Sequence, residues 1–261
     1  MTGWPASWGR PGWRAPARAV TVLVAAALAW QGLWALGVLP RQFMPSAAQP
    51  IGTLLTLAGG ALLAPLGQTL LAWLLGFLIA CAAGITIGID IGLSEVMSAL
   101  LAKVIRFARP VPPVALIPAV ILIAGVGLSA KVLLVTVSAV WPVLFNVAYS
   151  VREVPAGYVE IARTLRVSRA QIIRRVILPA ALPGALTGIR IAVAIALAVT
   201  VGSELLMGDT GLGYYISTEQ TAAQDASAYA AVVLAGAVGV LLSALIILFE
   251  RRVTFWSTER R

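Results

Sequence analysis

REVPAGYVEIARTLRVSRAQIIRRVILP, residues 152–179, is a polar island in an oily chain, and its reading decides the rest. It carries six arginines of a total of 19 lysines and arginines, and apolar runs long enough to cross a bilayer flank it. A loop this basic between two spans is expected on the cytoplasmic side. Pro155 suits the first turn of a helix, where its missing N–H has no partner to lose, and Tyr158, Ala162 and Leu165 then recur at helical spacing to give one small apolar face. Ser168 and Gln171 form an S-x-x-Q capping box that starts a second helix. Two short helices meeting at Arg166 and Val167 are therefore predicted.

Outward from the loop, 60% of the 261 residues are hydrophobic, 11% are charged, and the mean hydropathy is +0.96. A water-soluble globule carries far more charge, so the chain reads as an integral membrane protein. Only short loops remain outside the spans, with no room for a separate soluble catalytic domain. Histidine is absent and Cys81 is the sole cysteine. That removes the usual zinc ligands and any disulfide within the chain, so neither a metal site nor a catalytic residue is expected. Cys81 reads as a small apolar packing residue. The net charge of +9 follows topology rather than a nucleic-acid surface.

Apolar runs between charges predict six transmembrane helices near 19–39, 67–92, 107–127, 131–150, 180–207 and 228–249. A shorter run at 51–65, broken by Gly59, Gly60 and Pro65, is expected to lie at the outer membrane surface. Sixteen basic residues then fall on one side, counting those of the N-terminal arm, of 103–109, of the polar loop and of the C-terminus, while Arg41 and Lys131 fall on the other. Both termini are accordingly expected in the cytoplasm. The run from Ala19 to Leu39 is 21 residues, longer than the core of a secretory signal, and reads as a retained first span. Residues 1–50 form the N-terminal arm and that span, and 51–261 the remaining transmembrane domain.

The internal spacing of the loop carries a resemblance. Glu160-Ile161-Ala162, three residues, Arg166, nine residues, then Val176-Ile177-Leu178-Pro179 resembles the E-A-A-x3-G-x9-I-x-L-P loop of ABC-transporter permeases. Ile161 stands where the family has Ala, and Arg166 where it has Gly. Three further segments extend the likeness over roughly Gly67 to Trp256: Arg109-Pro110-Val111-Pro112-Pro113-Val114-Ala115-Leu116-Ile117-Pro118, Leu178 to Gly184 leading to Gly188-Ile189-Arg190, and Gly211-Leu212-Gly213-Tyr214. Together they resemble inner-membrane permeases of the nitrate, sulfonate and taurine type.

The resemblance implies an all-α, polytopic fold of the type I importer class, in a bacterial inner membrane. It implies a permease dimer, most simply of identical copies, working with two ATPase subunits and an extracytoplasmic binding protein that delivers a small solute, expected to be an anion. Tyr158, Glu160, Ala162, Arg163, Leu165, Arg166 and Ser168 would meet the ATPase. No G-x-x-x-x-G-K-[ST] occurs in this chain, so ATP and magnesium would be bound by the partner. Arg in place of Gly at 166 adds roughly 1 kcal/mol of strain if the turn is left-handed.

Other residues are read from position. Gly84, Gly88 and Gly92 form a G-x-x-x-G ladder that admits a neighbouring helix, within the subunit or at a dimer interface. Asp90 is placed near the headgroups with no transport role. Arg190, 11 residues after Pro179, is a candidate for anion attraction or gating, or else snorkels or pairs with the polar loop. Ser138, Trp141, Asn146, Thr200 and Ser203 are candidates for a translocation path, with helix-to-helix bonding as the alternative. Glu204, Asp209, Gly211 and Gly213 are placed in a flexible outer loop facing the binding protein. A secondary transporter or channel is the competing function, disfavoured because the sequence displays no evident intramembrane ionisable pairs. A membrane-embedded enzyme is a third, disfavoured by the lack of a nucleophile system or clustered carboxylates.

Overall fold

The computed structural model describes residues 14–40, 44–57, 59–99 and 111–254. Its elements are α1 (Arg14–Ala35), α2 (Ala48–Leu57), α3 (Leu63–Leu93), α4 (Ile117–Ala124, entered through a 3-10 turn at Pro113–Leu116), α5 (Leu128–Arg152), α6 (Ala156–Thr164), α7 (Arg169–Met207), α8 (Leu212–Thr221) and α9 (Asp225–Val253). Among the described residues, four helices are long and apolar enough to cross a membrane: α3, α5, α7 and α9.

The expected span at 67–92 begins earlier, at Leu63, because Pro65 falls in the first turn of α3, where proline is tolerated. The expected surface segment at 51–65 is thus split: α2 ends at Leu57, and the chain turns through Gly60 into α3. Of the span expected at 107–127, residues 107–110 lie outside the described part, and the helix itself is short. It stops at Gly125, whose φ of 73°, followed by 123° at Gly127, reverses the chain into α5. α7 continues the polar loop into the membrane as one helix, absorbing an extra residue in a π-turn at Ile173–Ile177.

The core is the packing of α3 on α5 and of α5 on α7. On α3, Gly76, Gly84, Gly88 and Gly92 face Val135, Val143, Val147 and Val151 of α5. A Cβ on Gly88 would lie 2.9 Å from the Leu144 carbonyl oxygen, so only glycine allows this approach. The glycine ladder is therefore used within the subunit, and it is longer than the sequence motif suggested. With the backbones this close, Thr136 donates to the Gly76 carbonyl at 3.3 Å. Trp73, stacked on Phe77 with centroids 5.4 Å apart, donates its indole N–H to the Val193 carbonyl of α7 at 3.3 Å. α5 meets α7 at Gly184 and Gly188, which lie against Ser150 and Asn146.

α9 is the contrast. None of its most apolar window is buried, and Val240, Leu241, Leu245, Leu248 and Phe249 are exposed, as expected of a helix whose outer face meets lipid or another chain. It is held at one end by α2 and α8, and Tyr229 contacts the ring of Trp30 on α1 at 5.7 Å.

Candidate functional site

At the arginine-rich end, α6 and the start of α7 form the predicted pair of short helices. The turn between them is a left-handed helix stop: Arg166 has φ of 54°, the Val167 N–H bonds the Ala162 carbonyl at 3.1 Å, and the Arg166 N–H bonds the Arg163 carbonyl at 2.9 Å. This 6→1 and 5→2 pattern is the one glycine usually serves. Ser168 then caps α7, its Oγ accepting from the Gln171 N–H at 3.4 Å while its own N–H donates to Gln171 Oε1 at 3.3 Å.

The apolar face expected from Tyr158, Ala162 and Leu165 does not hold together. Ala162 is buried and packs inward with Val159 and Val167. Tyr158 and Leu165 point to the surface with Ile161, all three being exposed. At about 100° per residue Ala162 lies to one side of Tyr158 while Ile161 and Leu165 lie to the other, so the edge between buried and exposed faces runs between Tyr158 and Ala162. Glu160, Arg163, Arg166 and Ser168 are exposed as well. Beneath the loop lies a cavity of about 810 Å³ lined in part by Arg152, Arg163, Arg169, Glu95 and Ile172.

Midway along the helices, a second cavity of about 650 Å³ opens between the start of α4, α5 and α7. Ser138, Trp141 and Asn146 line it, together with Pro142, Phe145, Tyr149 and Ile191. Trp141 stacks on Phe145 at 5.8 Å. Ser138 Oγ donates to the Leu134 carbonyl at 2.6 Å and Asn146 Nδ2 to the Pro142 carbonyl at 2.8 Å, so both also serve their own helix. The other two path candidates are elsewhere. Thr200 and Ser203 are fully buried and bond the Ala196 and Thr200 carbonyls at 2.8 Å each. Arg190 is not in the cavity lining either. Its Nη2 meets both carboxylate oxygens of Glu250 on α9, at 2.7 and 2.5 Å, a partner that neither sequence reading named.

At the opposite end the structure departs furthest from what the sequence suggests. Residues 204–213 are not a flexible outer loop. Glu204 is wholly buried within α7 and Gly211 and Gly213 are buried at the start of α8, a helix the sequence did not predict. Glu204 therefore has no surface to offer a docking protein. Its Oε2 accepts from Thr69 Oγ1 at 2.8 Å and from the Gly213 N–H at 3.0 Å. Thr69 Oγ1 in turn accepts from the Leu212 N–H at 2.8 Å, and Gln68 Oε1 from the Gly211 N–H at 3.0 Å, which fastens α8 onto α3. Lys131, which the sequence reading merely counted outside, is 1% exposed. Its ammonium lies 2.7 Å from Asp209 Oδ1 and 3.7 Å from Glu204 Oε1. With Arg190–Glu250, these are ionisable pairs inside or at the edge of the spans, which the sequence reading had not found.

A bundle of membrane-crossing helices, with a basic helix–turn–helix at one end and a largely apolar cavity between spans that carries Ser138 and Asn146, defines a multi-pass membrane permease. Residues 80–255 match the family of the binding-protein-dependent transport system inner membrane component, and the chain belongs to it. The taurine transport system permease protein TauC of Escherichia coli is 32% identical over 95% of this chain and 94% of its own length. The nitrate import permease protein NrtB of Leptolyngbya laminosa is 33% identical over 68% of this chain, and the putative aliphatic sulfonates transport permease protein SsuC of Bacillus subtilis is 33% identical over 87%. The chain spans 64% of the length of the nitrate relative, while it covers 83% of the sulfonate one. In fold it resembles a chain of the MetNI methionine ABC transporter in an inward-facing conformation, with a TM-score of 0.63 and 22% identity over 72% of this chain and 93% of that one. It also resembles a chain of an amino acid ABC transporter, at a TM-score of 0.57 and 18% identity over 79% and 97%.

Proposed function

We propose that this chain is the transmembrane permease subunit of an ATP-binding-cassette importer that passes a small anion across the membrane. The observation that carries the reading is the arginine-rich end. A short helix anchored by Ala162 and closed by a left-handed turn presents Tyr158, Glu160, Ile161 and Leu165 outward, as a rigid knob suited to a groove on another protein. In this reading the knob seats on an ATPase subunit that binds ATP and magnesium, and Arg163, Arg166 and Ser168 flank the contact. Because α7 runs without a break from the knob into the membrane, a tilt of the knob is delivered directly to the cavity wall at Ile191.

A second copy of the chain closes the path from the other side, two ATPases drive the pair, and an extracytoplasmic binding protein delivers the solute to the end bearing Asp209. The arginine-rich end faces the cytoplasm, with both termini, by the excess of basic residues there. Relatives named for nitrate, bicarbonate, taurine and aliphatic sulfonates favour an anionic solute. Among the described residues the cavity has no charged lining, which suits passage rather than tight retention of such a solute.

Glu160→Arg tests the contact. Glu160 is exposed and its side chain makes no bond among the described residues, so the variant is expected to insert and unfold like the parent. Co-purification of a Walker-motif ATPase and ATP-dependent uptake should both be lost; unchanged uptake would remove the knob from the coupling contact. ATP-independent uptake by the chain alone would instead support a secondary carrier.

A further inference from the structure

The ammonium of Lys131 has three N–H donors, and the fold uses all of them on one short segment. They reach Asp209 Oδ1 at 2.7 Å, the Thr210 carbonyl at 2.7 Å and Thr210 Oγ1 at 2.8 Å. Nothing is left for Glu204, whose Oε1 is buried, lies 3.7 Å from the same ammonium and accepts no hydrogen bond among the described residues. The cluster thus sets two carboxyl groups against one ammonium, with Glu204 and Lys131 buried and Asp209 at the solvent edge. The segment that Lys131 holds is bounded by two glycines in the left-handed region, Gly208 at φ 65° and Gly211 at φ 102°. The Gly211 N–H donates to Gln68 Oε1 and so closes the far end of this segment; beyond it the chain is fastened separately, the amides of residues 212 and 213 bonding Thr69 and Glu204. Asp209 is the one acid of the cluster with solvent contact, its side chain being 22% exposed.

We propose that Asp209–Thr210 is a glycine-hinged flap and that Lys131 is its positioning residue, held on the flap when it is closed and transferred to Glu204 Oε1 when it lifts. The charge balance is what permits the motion. In the closed state three charges share the site; on lifting, Asp209 carries its charge into water and Lys131 with Glu204 remains as a neutral buried pair. A lysine with no second acceptor would be stranded, which costs far more than the motion itself. Glu204 is therefore the resting place for the ammonium, while its Oε2 keeps α8 docked through Gly213 in both states. The flap lies on the face to which the functional reading assigns the binding protein, but its test does not depend on transport.

The test is hydrogen exchange resolved at single amides on the full chain in lipid nanodiscs. Glu204→Gln takes away the resting place and leaves Lys131 paired with Asp209, so opening becomes harder. Exchange at 209–211 is expected to slow by about tenfold, the size of one charge-assisted hydrogen bond. Asp209→Asn weakens the closed grip and is expected to speed the same amides about as much. A cluster that merely cements the fold would be loosened by both, so faster exchange in both variants overturns the proposal. If Glu204→Gln does not yield folded protein, Thr210→Val decides. It leaves every charge in place and should speed exchange at 209–211 while the amides of 212 and 213 stay protected; loosening of all five together would equally overturn the flap.

Discussion

The two ends of this molecule use charge in opposite ways. At the arginine-rich end, Arg163, Arg166, Arg169, Arg174 and Arg175 are exposed, and the turn is held by backbone bonds and the Ser168 capping box. At the other end Lys131 is buried with Glu204, pairs with the half-buried Asp209, and ties α5 to α7 and the segment before α8. The first arrangement leaves charge in water, where it costs little and is free to meet a partner. The second withdraws charge from water, where each group is tolerable only because the others are present. The lesson is that the count of charges says little about their role; the solvent around each decides it.

Replacing Lys131 should break the contrast most sharply. Lys131→Met leaves Glu204 buried beside no cation, and breaking a buried pair in this way costs about 3–5 kcal/mol. Thermal unfolding of the purified chain, followed by tryptophan fluorescence, is expected to show a large loss of stability. An unchanged midpoint would mean that the cluster is solvated. Gly211→Ala probes the same end without touching charge. Its Cβ would enter the space of the Glu204 carboxylate, and the backbone φ of 102° disfavours any side chain. Overpacking of this kind costs about 1–3 kcal/mol, readable in the same melt. Arg166→Gly should have the smallest effect and the opposite sign. Relieving a left-handed arginine is worth about 1 kcal/mol to the turn, measurable as slower amide exchange at Val167 with the global midpoint unmoved. A stability loss in that variant would show that the Arg166 side chain, rather than its backbone, matters.

What was legible divides along the same line. The helix–turn–helix at 156–172 could be read because its determinants are local: proline at the start, a capping box three residues apart, and a fixed motif spacing. Even there, the buried side of the helix was misjudged at Ala162 against Tyr158 and Leu165, because a helix of 9 residues in a loop has too short a periodicity to fix its buried side. The glycine ladder was visible on α3, but its partner valines on α5 are some 60 residues away, and valine carries no mark of what it faces. Glu204 was misplaced for a related reason. In a sequence an acid near the end of an apolar run looks like a loop residue, and only the approach of Thr69 and Lys131 makes a buried site for it.

The sequence alone determined that the chain is helical and membrane-embedded, where its polar loop lies, and to which family it belongs. Those properties follow from hydropathy, from the positions of glycine and proline, and from residues close together in the chain. Tertiary structure alone decided that α8 is a docked helix, that Arg190 answers to Glu250, and that Lys131 lies between Glu204 of α7 and Asp209 just beyond it. These contacts join residues 60 to 143 positions apart or turn on burial, and no local rule specifies either.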